Sequence, residues 1–326
     1  MLHRIQQSGP LDLLHPELKC IIENLEKTVV GKRRIIEYLV TALLAQGHVL
    51  LDDVPGVGKT TIAKALARST GLKYRRIQCT PDLLPSDITG VTIFHPGTQQ
   101  FEFQPGPVFA HLFLVDEINR TSPRTQSALL EVMEETQVTV DGVTYALDTP
   151  FVVVATQNPV EYEGTFSLPE SQLDRFLFRL NIGYPTIDEE IRILAQSRLS
   201  SPSVQSNAVI TRERLLALME EASAVYVADS LRRYIAEVAA ATRQSARLYL
   251  GLSPRGTLAW YRAAQAWALL HSRSFVVPDD VLSLAPLVVE HRLILSQTEA
   301  GTNRELVHEI FSDILRTIPV PVLERR

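Results

Sequence analysis

Short apolar runs alternate with segments of helical period through the first 186 residues. Apolar positions in 16–46 recur at helical spacing and are interrupted near Val30 and Gly31, which predicts two helices. Residues 59–70 have the same period, and Gly71 follows as a stop signal. Five runs of strand length lie among these segments: HVLLD (48–52), KYRRIQC (73–79), HLFLV (111–115), FVVVA (151–155) and FLFRLNI (176–182). This alternation predicts an α/β fold with a mainly parallel sheet and helices on both of its faces.

Two segments depart from this alternation. VTIFHPGTQQFEF (91–103) has alternating apolar residues on both sides of a Pro-Gly pair, and VTVDGVTYAL (138–147) alternates around Asp141 and Gly142. An Asp-Gly pair between alternating runs is a strong signal for a two-residue hairpin. We therefore expect two β-hairpins inserted into the α/β domain.

The pattern changes after Pro185. Residues 187–326 are almost wholly helical in period, with helix starts at Ser253-Pro254 and Val277-Pro278 and a polar loop over 199–207. The length of 326 residues is typical of two domains. We predict an α/β domain over 1–186 and an α-helical domain over 187–326.

Composition narrows the class of protein. The net charge is −5, so no global basic field favours nucleic acid or anionic lipid. Only two cysteines occur, far apart, which argues against a disulfide framework and for a reducing compartment. The eight histidines form no metal-binding spacing. No apolar run reaches the length of a membrane span and the start of the chain has no signal-peptide pattern, so we expect a cytoplasmic location.

Candidate chemistry begins after the first apolar run, where DVPGVGKTT (53–61) follows the predicted strand. The phosphate-loop pattern G-x-x-x-x-G-K-[ST] requires strand, loop and helix in this order, but it places a glycine where this chain has Asp53. The alternative is a lysine at a helix start after a tight turn. In a working site the Asp53 side chain should point away, because a carboxylate is repelled by triphosphate; Asp also tolerates unusual φ.

Each residue type in this loop suits a phosphate site. Gly56 and Gly58 let backbone N–H groups approach phosphate without a Cβ in the way. Lys59 would reach the β- and γ-phosphates, Thr60 would ligate Mg²⁺, and the helix start adds its positive end. The predicted cofactor-binding loop also includes Pro55, Val57 and Thr61.

Polar residues end two further predicted strands. In LFLVDEINR (112–120), Asp116 would hold Mg²⁺ and Glu117 would polarise the attacking water; the alternative is a solvated acidic strand end. In ATQNP (155–159), Asn158 could orient water or the γ-phosphate, although Asn-Pro by itself favours a simple turn.

Two arginines are candidates for contact with an anion. Arg175, in LPESQLDRFLF (168–178), is expected at the end of a short helix, where an arginine is usually a surface ion pair. Arg255, in SPRGTLAW (253–260), is expected in the first turn of a helix, where a cation opposes the helix dipole and an anionic partner would offset it.

In this order, GVGKT, FLVDE, ATQNP, LDRF and SPR resemble the motifs of AAA+ ATPases. DVPGVGKT, DEINR, ATQNPVEYEGTFSLPESQLDRF and the hairpin within 91–103 resemble the MoxR branch, over roughly residues 15–320. The MoxR branch resembles this sequence in having an acidic residue before V-P-G. The resemblance therefore favours an intact ATP-binding loop despite Asp53.

The resemblance implies an AAA+ P-loop core with inserted hairpins and an α-helical lid, in a ring that is usually hexameric, with ATP and Mg²⁺ between subunits. Matched residue by residue, it implies that Asn158 is the first sensor and Arg175 the arginine finger acting on the ATP of the neighbour. Arg255 matches the second sensor, with its action in its own subunit or the neighbour left open. Val30 and Gly31 match the segment that contacts adenine. Less favoured interface candidates are Arg120, Arg124 and Arg179.

The resemblance also implies a function. It points to chaperone-like maturation of client protein complexes, including metal-cofactor insertion, often with a von Willebrand A-type partner. One alternative is a nucleic-acid motor, but the segment 137–147 contains no Lys or Arg. Another is a non-hydrolysing nucleotide-binding scaffold, which the presence of Glu117 and Arg175 argues against.

Overall fold

A computed structural model describes residues 14–54, 56–158, 166, 168–199, 207–296 and 304–321. The helices of this part of the chain are α1 (Pro16–Glu26), α2 (Arg33–Leu44), α3 (Lys59–Thr70), α4 (Pro85–Thr89), α5 (Pro123–Glu135), α6 (Glu170–Leu173), α7 (Ile187–Leu199), α8 (Arg212–Ser223), α9 (Asp229–Gln244), α10 (Pro254–Leu270), α11 (Pro278–Val289) and α12 (Arg304–Thr317). The strands are β1 (His48–Asp52), β2 (Tyr74–Gln78), β3 (Gly90–His95), β4 (Gln100–Pro105), β5 (Leu112–Asp116), β6 (Gln137–Val140), β7 (Val143–Ala146), β8 (Val152–Gln157), β9 (Phe176–Leu180), β10 (Leu248–Leu250) and β11 (Ile294–Leu295). Among these helices, the structure contains none that combines the length and apolar character needed to cross a bilayer.

The five strands expected from the apolar runs form one sheet in the order β2-β5-β8-β1-β9. Every pairing in the sheet is parallel. Strands β1 and β5 are buried along their whole length, as expected for a parallel sheet that is covered on both faces. The register pairs Asp52 with Gln157 and Gln78 with Asp116, so polar residues meet at the carboxyl edge of the sheet. Ligands of open α/β sheets bind at this edge.

Both expected hairpins are present. β3 pairs with β4 and β6 pairs with β7, each in the antiparallel sense. Asp141 (φ 51°) and Gly142 (φ 78°) both have left-handed backbone, as a type I′ turn requires. The Tyr145 ring stacks on Phe103 with 4.1 Å between ring centroids, so the two hairpins contact one another.

The helix boundaries follow local chemistry. Gly71 ends α3 in left-handed backbone (φ 65°), and the Ser253 hydroxyl caps α10 by accepting a hydrogen bond from the Gly256 N–H at 3.0 Å. The periodicity of the sequence does not predict the small antiparallel ladder of β10 and β11 within the largely helical second half. Strands of three and two residues are too short to show a period.

The hydrophobic core continues from the sheet into the C-terminal helices. Leu18, Ile36, Leu218 and Trp260 are all buried within one connected cluster, and α2 packs against both α8 and α10. Helix α7 begins at Ile187, where the sequence changes character. Because the core has no break there, the division into domains at residue 186 stays a prediction based on topology rather than on packing.

Candidate nucleotide-binding site

The loop between β1 and α3 forms an open backbone cradle. Gly56 (φ 88°) and Gly58 (φ 91°) are both left-handed, and a Cβ at either position would meet no atom within 4 Å. Helix α3 begins at Lys59 directly after Gly58 and has no side-chain cap, so the first backbone N–H groups of the helix are available to an anion. Pro55 lies outside the described residues. The conformation of this loop suits a phosphate ligand.

Asp53 is turned away from the cradle, in agreement with the expectation from charge. Its carboxylate is buried and accepts hydrogen bonds from the Val54 N–H at 2.8 Å and the Gly183 N–H at 2.6 Å. Asp53 is not among the described residues with positive φ, so the tolerance of Asp for unusual φ is not used here. The acidic residue therefore ties the loop to the segment after β9.

Lys59 spans the carboxyl ends of two adjacent strands. Its Nζ donates to the Asp53 carbonyl oxygen at 2.5 Å and to the Gln157 carbonyl oxygen at 3.4 Å. Burial lowers the pKa of Lys59, and the nearby Asp53 and Asp52 carboxylates partly oppose that shift. The ammonium group thus lies at the sheet edge beside the open cradle.

Asp116 collects polar partners from three elements. The Thr60 hydroxyl donates to Asp116 Oδ2 at 3.4 Å, and the Thr156 hydroxyl donates to Asp116 Oδ1 at 3.2 Å. Arg76 Nε donates to Asp116 Oδ2 at 2.5 Å. A hydroxyl and a carboxylate at one point are oxygen donors of the kind that Mg²⁺ prefers. Arg76 and Thr156 are not among the residues predicted from the sequence. The position of Thr156 near the end of β8, next to β5, is a signal that could have identified it.

Glu117 and Asn158 follow neighbouring strands. Glu117 has left-handed backbone (φ 56°), which is uncommon for a residue other than glycine and recurs at functional sites. Its N–H donates to the Thr156 hydroxyl at 2.9 Å, and its carboxylate pairs with Arg120 at 2.8 Å. The Asn158 carbonyl accepts from the Asn119 side-chain amide at 3.2 Å. The strained backbone directs the Glu117 side chain from the end of β5.

A cavity of about 230 Å³ lies beside the cradle. Its walls come from the α1–α2 connection, the loop with α3, and the start of α7: Thr28, Val29, Val30, Lys32, Gly56, Val57, Gly58, Thr61, Pro185 and Ile193. Val30 is a wall residue and Gly31 is not. A Cβ on Gly31 (φ 75°) would lie 1.9 Å from Glu189 Oε1, so this glycine lets the connection pack closely on α7. Valine and isoleucine walls suit a flat base such as adenine.

The structure brings Arg175 and Arg255 together but places neither in the wall of this cavity. Arg175 lies in the turn after α6, not within the helix, and its Nη1 donates to the Leu130 carbonyl at 2.8 Å and to Glu134 Oε2. Arg255, in the first turn of α10, donates through Nη2 to Glu134 Oε1. Glu134, in the last turn of α5, is a shared partner that the sequence analysis missed.

The turn that carries Arg175 is held by residues from the C-terminal helices. Arg292 is buried and donates to Asp174 Oδ1 at 2.8 Å and to the Phe176 carbonyl at 2.6 Å. Burial lowers the pKa of Arg292 to about 10, although the Asp174 carboxylate opposes the shift. The Ser253 hydroxyl donates to Asp174 Oδ2 at 3.0 Å. No local pattern marks Arg292 in the sequence.

The three arginines that are less favoured as interface residues, Arg120, Arg124 and Arg179, lie in three different environments. Arg179 donates to Asp52 Oδ2 through Nε at 2.9 Å and Nη2 at 2.6 Å, and Arg304 of α12 contacts the same oxygen. Arg179 is thus paired within its own subunit, and an interface role for it stays a prediction. Arg120 pairs with Glu117, and Arg124 is exposed on the first turn of α5.

Comparison with known families places the site within two matched regions. Residues 48–178 match the model described as "ATPase family associated with various cellular activities (AAA)", and residues 240–311 match the AAA lid domain. The first region contains the cradle, Asp116, Glu117, Asn158 and Arg175, while the second contains Arg255.

Individual proteins resemble the chain over nearly its whole length. The uncharacterized protein YeaC of Bacillus subtilis is 52% identical over 309 residues, covering 95% of this chain and 96% of that protein. Chaperone MoxR1 of Mycobacterium tuberculosis is 39% identical over 313 residues, covering 93% of this chain and 82% of that protein. The crystal structure of a provisionally assigned ATPase from Cytophaga hutchinsonii has a TM-score of 0.87 at 36% identity, covering 94% of this chain and 95% of that one.

Proposed function

The chain belongs to the MoxR type of AAA+ ATPases, and from this premise we propose that it couples ATP hydrolysis to the chaperone-like remodelling or maturation of client protein complexes. Maturation by insertion of a metal cofactor is one form of this activity. The ring is proposed to be a homo-oligomer, hexameric as the family resemblance implies, with Mg²⁺ as the cofactor.

One observation supports hydrolysis at the cradle above all others. Thr60 Oγ1, after the glycine loop, lies 3.4 Å from Asp116 Oδ2, at the end of a different strand. The two residues are 56 positions apart in sequence, yet they converge beside backbone N–H groups that are open to an anion. Thr60 and Asp116 would hold Mg²⁺ between them. Bound there, Mg²⁺ would supply positive charge against the phosphate oxygens as charge shifts during hydrolysis.

The other residues of the site have complementary roles in this proposal. Lys59 would donate to the β- and γ-phosphates in place of the two backbone carbonyls that it now contacts. Glu117 would accept a proton from the attacking water, after its pair with Arg120 opens. Asn158 would orient the water or the γ-phosphate. Val30 would contact the base from the cavity wall, with Gly31 fixing that wall.

Arg175 would act on the nucleotide of a neighbouring subunit. Arg175 and Arg255 are absent from the walls of their own cavity, and both are partly exposed, with 27% and 48% of the side-chain surface accessible. A partly exposed guanidinium on the outer surface is accessible to a phosphate of another copy. This placement favours action in trans for Arg255 as well, the point that the sequence left open.

A protein client is favoured over nucleic acid by the surface of the hairpins. On the β6–β7 hairpin, Val138 is buried and Tyr145 stacks on Phe103, so these two side chains are covered within the molecule. Exposed aromatic side chains are on the β3–β4 hairpin, where Phe94 and Phe101 are 47% and 74% exposed. Neither hairpin contains Lys or Arg, the residues that nucleic-acid phosphates require. The von Willebrand A-type partner is proposed from the family resemblance.

We expect single- or double-stranded DNA to leave the ATPase rate within about twofold of its basal value, because no basic hairpin is available to release phosphate counterions. The measurement is steady-state phosphate release with each nucleic acid, at low and at high salt. A purified von Willebrand A-type protein from the same organism serves as the protein arm of the comparison. Stimulation by DNA that disappears as salt rises would replace this proposal with a nucleic-acid motor, whereas stimulation by the protein alone would support it.

A further inference from the structure

Two arginines and one glutamate from separate elements meet on the outer surface of the molecule. We propose that Glu134 is a positioning residue that joins Arg175 and Arg255 into one arginine pair, which receives the terminal phosphates of a nucleotide bound by a second copy of the chain. The inference rests on the proposed function, because it assigns the geometry of the trans contact to a residue outside the recognised motifs. Below, "the arginine pair" means Arg175 and Arg255.

The contacts of Glu134 divide evenly between the two guanidinium groups. Oε2 accepts from Arg175 Nη1, and Oε1 accepts from Arg255 Nη2. Two cations share one anion, so the cluster keeps an excess positive charge that an incoming phosphate can neutralise. In the described part of the chain, Arg175 Nη2 and Arg255 Nη1 make no hydrogen bond, which leaves donors for that phosphate.

The backbones that carry the arginine pair are linked by a second contact. Asp174, next to Arg175, accepts from the Ser253 hydroxyl at 3.0 Å, and Ser253 lies two residues before Arg255. Arg292 holds Asp174 from the buried side at 2.8 Å. The backbone positions of the two arginines are therefore fixed by Asp174 and Ser253, and their guanidinium groups are held by Glu134.

Removal of the Glu134 charge would free the two guanidinium groups without moving the backbones that carry them. Two guanidinium groups repel one another when the carboxylate between them is lost, and each would sample more rotamers. The nucleotide cavity of the same subunit would keep its form, because no wall residue of that cavity touches Glu134. A preorganised donor accelerates a reaction only while it is held in place.

Glu134→Gln is the test variant and Glu135→Gln the matched control. Both residues are exposed in the last turn of α5 and both substitutions remove one negative charge, but only Glu134 contacts the arginine pair in the described structure. We expect kcat of Glu134→Gln to fall by about tenfold, with KM for ATP unchanged, and Glu135→Gln to match the wild type. A wild-type kcat for Glu134→Gln would overturn the proposal.

Mixed assemblies separate a positioning role from a structural one. Glu134→Gln subunits keep their own Glu117, so mixing with Glu117→Gln subunits, which keep the complete arginine pair, should raise activity above that of either parent. Mixing with Arg175→Ala subunits should not, because both partners then lack a competent pair. Loss of kcat without recovery in the Glu117→Gln mixture would overturn the proposal.

Two further experiments separate this inference from a failure of the variant to fold and from a failure of the proposed function. If Glu134→Gln does not fold, Glu134→Asp replaces it; the shorter side chain reaches at most one arginine, so a wild-type kcat there would also overturn the proposal. The mixture of Arg175→Ala with Glu117→Gln tests the trans contact itself. Its failure would count against the proposed function, whereas its success with a fully active Glu134→Gln would refute this inference alone.

Discussion

Glu117→Gln should bind ATP with near wild-type affinity and hydrolyse it at about one hundredth of the wild-type rate or less. Glutamine keeps the size of the side chain but cannot accept a proton from water at neutral pH. Glu117 lies at the end of β5 in left-handed backbone, one residue after Asp116, and only its carboxylate chemistry is changed. Because the substitution leaves Lys59 and the open N-terminus of α3 in place, nucleotide affinity should survive.

The measurement pairs a fluorescent-nucleotide titration with single-turnover phosphate release. Lys59→Ala is the contrasting variant, since loss of the ammonium at the cradle should abolish binding itself. Near-normal turnover in Glu117→Gln would remove Glu117 from its assigned role and leave the carboxylate as a solvated end of a strand.

Arg175→Ala subunits should bind ATP normally and be inactive on their own, because the finger serves the neighbouring nucleotide. Mixing them with Glu117→Gln subunits should restore part of the activity. In such a mixture a subunit with an intact Glu117 can face a neighbour with an intact Arg175. Since arginine fingers contribute about 10³-fold or more to turnover, the recovered signal should be far above the background of either parent.

Subunit exchange must be demonstrated in the same mixture, by energy transfer between labelled copies. With exchange established, a mixture that stays inactive would show that Arg175 does not act in trans.

The central sheet was predictable because each strand carries its own signal. β1, β5 and β8 are apolar runs of strand length inside a parallel sheet that is covered on both faces, and each is followed by polar residues. The loop residues Gly56 and Gly58 were predictable for a similar local reason, since only glycine adopts their backbone at low cost.

Contacts that join distant parts of the chain could not be predicted in this way. Glu134 is 41 residues from Arg175 and 121 residues from Arg255. Arg292 is 118 residues from Asp174. Each is an ordinary charged residue on a helix or turn, and only the packing of the C-terminal helices on the sheet shows what it contacts.

The hairpins show another feature that the sequence pattern could not predict, which is the face of a strand that other residues cover. The alternation in 138–147 specifies two opposite faces, but it does not say which face another segment covers. Phe103 covers Tyr145, so that side chain packs against the neighbouring hairpin within the molecule. On the neighbouring hairpin Phe101 is 74% exposed, and the alternation of its sequence does not predict that exposure either.

The most direct measurement of a nucleotide site shared between copies is the specific ATPase activity of the wild-type chain over a wide range of protein concentration, with particle mass followed by light scattering with and without ATP. We predict that activity per subunit rises with concentration, in step with assembly, and reaches a plateau when assembly is complete. Constant activity per subunit from the fully dissociated chain to the assembled one would contradict the account, because each subunit would then hydrolyse ATP without a neighbour.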